Sequence, residues 1–190
     1  MARLESALSL SAPDAARRLL GAELTREING QTCRVRIVET EAYDVTDAAS
    51  HSSNGLTART AVMFGAAGRA YVYFTYGMHY CFNIVTGKVG EGSAVLIRAV
   101  EPLAGEAVMS TNRGNLTGVA LSNGPAKLCQ SLQIDKTFYG HNLELPPFSL
   151  TLRPALPDSA VTQTTRIGIS KAVDTPWRFY ETGNPYVSKL

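Results

Sequence analysis

A chain of 190 residues with 45% hydrophobic and 18% charged side chains has enough apolar material for one sizeable core and too little length for two comfortable domains. Its net charge of +2 excludes a protein that holds nucleic acid by bulk charge, so any nucleic-acid site has to be a local patch. Three widely spaced cysteines, Cys33, Cys81 and Cys129, fit neither a disulfide framework nor a paired metal site, and the lack of a leader-like or membrane-length apolar run points to a soluble, cytoplasmic protein.

In chain order, Ser11-Ala-Pro-Asp-Ala-Ala-Arg-Arg-Leu-Leu20 predicts a short helix: a capping residue, proline in the first turn, then helix formers up to Gly21. Asn29-Gly30 between two β-like runs predicts a hairpin, its second arm running from Thr32 to Tyr43. Asp44 to Thr60 is polar, carries His51 and reads as an irregular loop of a length usually tied to function. Arg69 to Thr75 and His79 to Thr86 predict a second hairpin with Tyr76-Gly77-Met78 at its tip, and Ser93 to Val100 a further strand closed by Glu101-Pro102. Pro102 to Met109 and Ala126 to Leu132 predict helices, and the tail holds two strand candidates, around Leu150-Leu152 and Thr165-Ile169. Strands with scattered short helices and no repeat predict one α+β domain over residues 1–190, built on a largely antiparallel, curved sheet with a protruding β-hairpin.

Three features could carry chemistry. Alternation along Val35 to Tyr43 puts Glu39, Glu41 and Tyr43 on the face of Val35 and Ile37, so two carboxylates continue an apolar face, where burial and mutual repulsion tune a proton acceptor. The same pattern also suits a strand end that frays into solvent. Tyr76, one of four tyrosines in Tyr71 to Asn83, sits where core packing is poor and insertion between base pairs is easy, although a self-contained aromatic cluster would give the same composition. His51 and His79 lack the companions a zinc site needs, so no metal is expected, and there is no Walker, dinucleotide or Gly-x-Ser-x-Gly motif.

Together the stretches Arg17-Arg-Leu-Leu-Gly, Val38-Glu-Thr-Glu-Ala-Tyr, His51-Ser, Ala61-Val-Met-Phe-Gly, Tyr71 to Asn83, Val95-Leu-Ile-Arg-Ala-Val-Glu-Pro-Leu, Asn123-Gly-Pro-Ala-Lys-Leu-Cys-Gln, Arg166-Ile-Gly-Ile and Pro176-Trp-Arg-Phe-Tyr resemble the alkyladenine (3-methyladenine) DNA glycosylase family, in order over nearly the whole chain. The resemblance implies a cofactor-free, monofunctional, monomeric base-excision-repair enzyme that flips a damaged purine out of double-stranded DNA. It implies Glu41 as the base that activates water and Arg98 as its helper. It assigns Tyr43, His51 and Tyr73 to the walls of the base pocket, Asn83 to rejection of the guanine 2-amine, Tyr76 to intercalation, and Met78, His79 and Lys127 to DNA contacts. The family's usual Thr-Pro-Arg-Asn is Thr57-Ala-Arg-Thr60 here, and the arginine often found near Leu56 is missing. Two other readings stay open on the residues alone: a non-catalytic nucleic-acid-binding module, and a glycosidase using Glu39 and Glu41 as an acid and base pair.

Overall fold

A computed structural model describes residues 4–188. Two short helices open the chain, α1 (Leu4–Leu8) and α2 (Ala12–Leu19). In α2 the Ser11 side chain accepts the Asp14 N–H, and Ala12, Ala15, Ala16 and Leu19 form the buried stripe. α1 escaped the sequence reading because one turn and a half carries no period to detect.

The sheet follows: β1 (Glu23–Ile28), β2 (Gln31–Tyr43), β3 (Ala70–Thr75), β4 (His79–Thr86) and β5 (Ser93–Ala104). After α3 (Glu106–Asn112) and α4 (Pro125–Ser131) come β6 (Phe148–Thr151), β7 (Val161–Thr164) and β8 (Arg178–Glu181). The order is β3-β4-β5-β2-β1-β6, every described pairing is antiparallel, and β8 continues the edge of β2 beyond β1 while also pairing with β7. The expected α+β class is therefore observed, with α2 and α4 packed on one face of an open antiparallel sheet. Asn29 and Gly30 take the left-handed conformation, φ 49° and 76°, and close the β1–β2 hairpin.

Three expectations are corrected. β5 does not end at Glu101-Pro102 but runs to Ala104, so the helix expected from Pro102 begins at Glu106 instead. Proline is tolerated there because β4 pairs β5 only along Ser93–Leu96, leaving Pro102 with β2 on one side and no ladder on the other. Thr165–Ile169 is not a strand: Arg166 is held by an ion pair with Asp47, and the Ile167 N–H is used by a side chain. The strands β7 and β8 lie on either side of that segment.

The third correction concerns the carboxylates. Val35 and Ile37 face the helices in the main core, but so do Ala42 and Thr40, whose hydroxyl donates to the Ala16 carbonyl at 2.9 Å. The parity of β2 changes between Ile37 and Thr40. Ile37 lies opposite Val100, Glu39 opposite Ala99 and Thr40 opposite Ile97, so Val38 is the extra residue on β2 and Arg98 the extra residue on β5. Beyond these two facing bulges, Glu39, Glu41 and Tyr43 point away from the apolar face they were expected to continue. They meet Arg98 on the side of the sheet that the helices leave open.

Candidate active site

On that open side lies a cavity of about 710 Å³, a size that suits a small ligand. Sheet alternation supplies its floor and one wall: Glu41 and Tyr43 from β2, Tyr71 and Tyr73 from β3, Cys81 and Asn83 from β4, and Leu96 and Arg98 from β5. The 44–60 loop folds over it, with a single turn of helix at His51–Asn54. Residues 167–171 form the opposite rim.

Glu41 is fully buried, and its oxygens meet donors only. The Ile167 N–H donates to Oε1 at 2.8 Å, Arg98 Nη1 stands 3.2 Å from the same oxygen, and the Tyr43 hydroxyl donates to Oε2 at 2.8 Å. Arg98 Nε also donates to Glu39 Oε1 at 3.2 Å, so one guanidinium joins the two carboxylates. Burial alone would lower the Arg98 pKa; the charges of Glu41 and Glu39 outweigh it and hold it above its ordinary value.

Glu39 is placed differently. It does not line the cavity, and its oxygens accept from Arg178 Nε at 2.7 Å and from the Ser188 N–H and hydroxyl at 2.7 and 3.0 Å. A carboxylate so occupied outside the cavity cannot act as the acid partner of Glu41, which removes the glycosidase reading of the pair.

The walls carry Tyr43, Tyr71, Tyr73 and His51, with the exposed Arg59 beside them. Burial, reinforced by the neighbouring Glu41 charge, pushes the Tyr43 hydroxyl well up, and burial raises Tyr71 to about 12 and Tyr73 further. Burial, with a smaller contribution from Arg59, lowers His51 to about 4. His51 Nε2 lies 3.3 Å from Arg59 Nη2, which can only donate, so Nε2 accepts and the proton on Nδ1 is donated to the Tyr71 hydroxyl at 2.8 Å. Its ring meets Tyr73 edge-on at 4.6 Å. Behind Tyr43 the Arg166 guanidinium lies 4.7 Å from the ring centroid, anchored by a fully buried ion pair to Asp47. Both His51 nitrogens are engaged, and among the described residues Glu41 is the one carboxylate that lines the cavity.

Of the residues expected at the site, the cavity brings together Glu41, Arg98, Tyr43, His51, Tyr73 and Asn83, with Tyr76 at its mouth. The Asn83 amide is buried and donates to the Tyr71 carbonyl at 2.9 Å. Tyr76 is 81% exposed at the tip of the β3–β4 hairpin, flanked by exposed Phe74 and Met78. The backbone there is a tight turn: the Met78 N–H donates to the Thr75 carbonyl at 3.2 Å, and Tyr76 and Gly77 both have positive φ, 51° and 67°. Met78, His79 and Lys127 lie outside the cavity; His79 Nδ1 is buried without a partner among the described residues, and Lys127 Nζ donates to the Asn123 side chain at 2.7 Å.

Sequence reasoning missed Tyr71, Arg59, Arg166 and the Ile167 N–H. Tyr71 was within reach, since it is two residues from Tyr73 on the same strand face. The Ile167 contribution has no side-chain signature.

Residues 6–185 match the family model described as methylpurine-DNA glycosylase (MPG). A protein of Francisella tularensis subsp. tularensis named "Putative 3-methyladenine DNA glycosylase" is 48% identical over the full length of both chains. Proteins of the same name from Carboxydothermus hydrogenoformans and Nitrosospira multiformis are 49% and 47% identical, over 92% and 95% of this chain and 92% and 91% of theirs.

Proposed function

The chain belongs to the methylpurine-DNA glycosylase family, and from that membership we propose that it is a monofunctional, monomeric enzyme that excises alkylated or deaminated purines extruded from double-stranded DNA. The observation that carries this reading is the buried Glu41 carboxylate at the foot of an aromatic pocket, held by three donors.

A purine inside the duplex is out of reach, and extruding it costs a few kcal/mol of stacking and pairing. Tyr76, exposed on a preformed turn, fills the gap left behind, while Tyr43, His51 and Tyr73 stack on the base, at roughly 1–3 kcal/mol per stacked base. Asn83, fixed by its bond to the Tyr71 carbonyl, crowds the purine 2-position and disfavours guanine. Met78, His79 and Lys127 contact the flanking DNA, Lys127 by exchanging Asn123 for phosphate.

Bond cleavage leaves the electron pair on the departing purine and positive charge on the sugar. Glu41 stabilises that charge, takes a proton from water and directs the oxygen to the anomeric carbon, with Arg98 fixing the carboxylate. A cationic base leaves without further protonation. Among the described residues no lysine contacts Glu41; Lys171, at the rim of the cavity, is exposed. The product is an abasic site in an intact strand.

The test is single-turnover release of hypoxanthine, ethenoadenine or an N-methylpurine from a duplex oligonucleotide, with the strand examined afterwards. Release with no strand cleavage and no borohydride-trapped adduct supports the reading. Tight, salt-sensitive binding to every lesion without release replaces it with the non-catalytic binding module.

A further inference from the structure

Two guanidiniums stand over tyrosine rings of the pocket, and they are held differently. Arg166 is locked behind Tyr43 by its buried ion pair with Asp47. Arg59 is exposed, lines the cavity, and places its guanidinium carbon 5.4 Å from the Tyr73 ring centroid. It makes no ion pair among the described residues; its guanidinium meets His51 Nε2 at 3.3 Å and also acts on the Tyr71 hydroxyl.

Its backbone, by contrast, is pinned. The Tyr139 hydroxyl lies 3.2 Å from the Ala58 and Arg59 carbonyls and accepts the Val62 N–H, while Thr60 Oγ1 accepts the Thr57 N–H at 2.8 Å and donates to the Gly55 carbonyl at 3.0 Å. The loop thus presents one movable cation to a wall of the pocket from a fixed base.

We propose that Arg59 is a resident cation of the pocket: its guanidinium rests on the Tyr73 ring, and it discriminates against purines that carry a fixed positive charge relative to neutral ones. This rests on the reading of the cavity as a purine pocket. A neutral base can enter and use the planar guanidinium as a further stacking surface. A cationic base meets like charge at stacking distance, and if it displaces Arg59 it gains one cation–π contact where another is lost. The His51 ring, whose Nε2 is engaged by Arg59, becomes a free acceptor only when the guanidinium leaves.

The test compares single-turnover release, at saturating enzyme, of N7-methylguanine, a fixed cation, and of hypoxanthine, a neutral base, from the same duplex sequence. Wild type is set against Arg59→Met, which keeps length without charge, and Arg59→Lys, which keeps charge. Because Arg59 is exposed, both variants keep the fold. Taking the ratio of the two rates cancels any contribution of Arg59 to general DNA affinity and the constant effect of Asn83 on the guanine amine. The expected result is a rise of about two- to fivefold in the cationic-to-neutral ratio for Arg59→Met, with Arg59→Lys close to wild type. An unchanged ratio in Arg59→Met, with affinity for both duplexes falling together and the salt dependence weakened by about one phosphate contact, overturns the proposal and leaves Arg59 as a backbone contact. Failure of the wild type to release either base overturns the purine-pocket reading itself, and the proposal with it.

Discussion

Replacing Glu41 by glutamine separates the chemistry of this site from its architecture. Two of the three donors around the carboxylate, the Ile167 N–H and Arg98 Nη1, converge on Oε1, and the third, the Tyr43 hydroxyl, meets Oε2. A glutamine whose carbonyl takes the Oε1 position keeps the first two, and its amide can donate to Tyr43 once that hydroxyl turns. No buried group loses a partner. What is lost is charge, and Arg98 retains Glu39 at 3.2 Å. The cost to stability is therefore that of a weakened charge-assisted bond, about 1–3 kcal/mol, below the roughly 3–5 kcal/mol of an abandoned buried charge. For a chain of this size that is a fall in Tm of about 2–12 °C. The catalytic loss is larger: general-base assistance contributes about 10²- to 10⁴-fold, or roughly 3–5 kcal/mol of barrier. Thermal melts, duplex binding and single-turnover release on the same preparations resolve the three quantities. A folded, DNA-binding Glu41→Gln protein that releases purine within tenfold of wild type would falsify the assignment of Glu41 as the base.

Tyr76→Ala should leave the unfolding midpoint nearly unchanged, within about 0.5 kcal/mol, because the side chain is 81% exposed; its release rate should fall on duplex and far less on single-stranded substrate, and equal losses on both would exclude a wedge role. Asp47→Ala leaves the buried Arg166 guanidinium without its carboxylate and should cost about 3–5 kcal/mol in urea titrations; a loss under 1 kcal/mol would mean that the pair does not hold the 44–60 loop to the pocket. His51 is lowered from 6.5 to about 4 in the folded state, so the unfolded chain binds more protons between those values and stability should fall as pH drops from about 6.5 to 4. His51→Gln should flatten the urea midpoint against pH over that window, and an unchanged slope would assign the loss to other groups.

Parts of this molecule are legible in the sequence because their cause is local. Ser11 caps α2 with its own side chain, Asn29-Gly30 adopts the left-handed pair a tight hairpin needs, and Tyr76 stands at a tip that the strands on either side define. The parity of Glu41 is not local. Counting alternate residues from Val35 carries Glu41 onto the helix face, and only the extra residues Val38 and Arg98, facing each other across β2 and β5, turn it to the open side. The sequence pattern thus set Glu39, Glu41 and Tyr43 on the wrong face. The stretch Thr165–Ile169 looked like a strand for a related reason: its apolar alternation is genuine, but its backbone and Arg166 are engaged with Glu41, Ala42 and Asp47 from distant parts of the chain. Propensity within a short window cannot register such partners.

The conformation of Tyr76 bears on how such an enzyme would search. A bulky side chain on a left-handed backbone costs energy that the hairpin's ladder and the Thr75–Met78 bond must offset, and that cost falls during folding. A probe that ordered itself only on contact would lose conformational entropy afresh at every base step it tested. Undamaged steps outnumber lesions by orders of magnitude, so even a small recurring penalty would dominate the time spent per lesion found. A turn already set before the encounter removes that penalty from each trial, leaving the stacking of the base pair itself as the quantity interrogated.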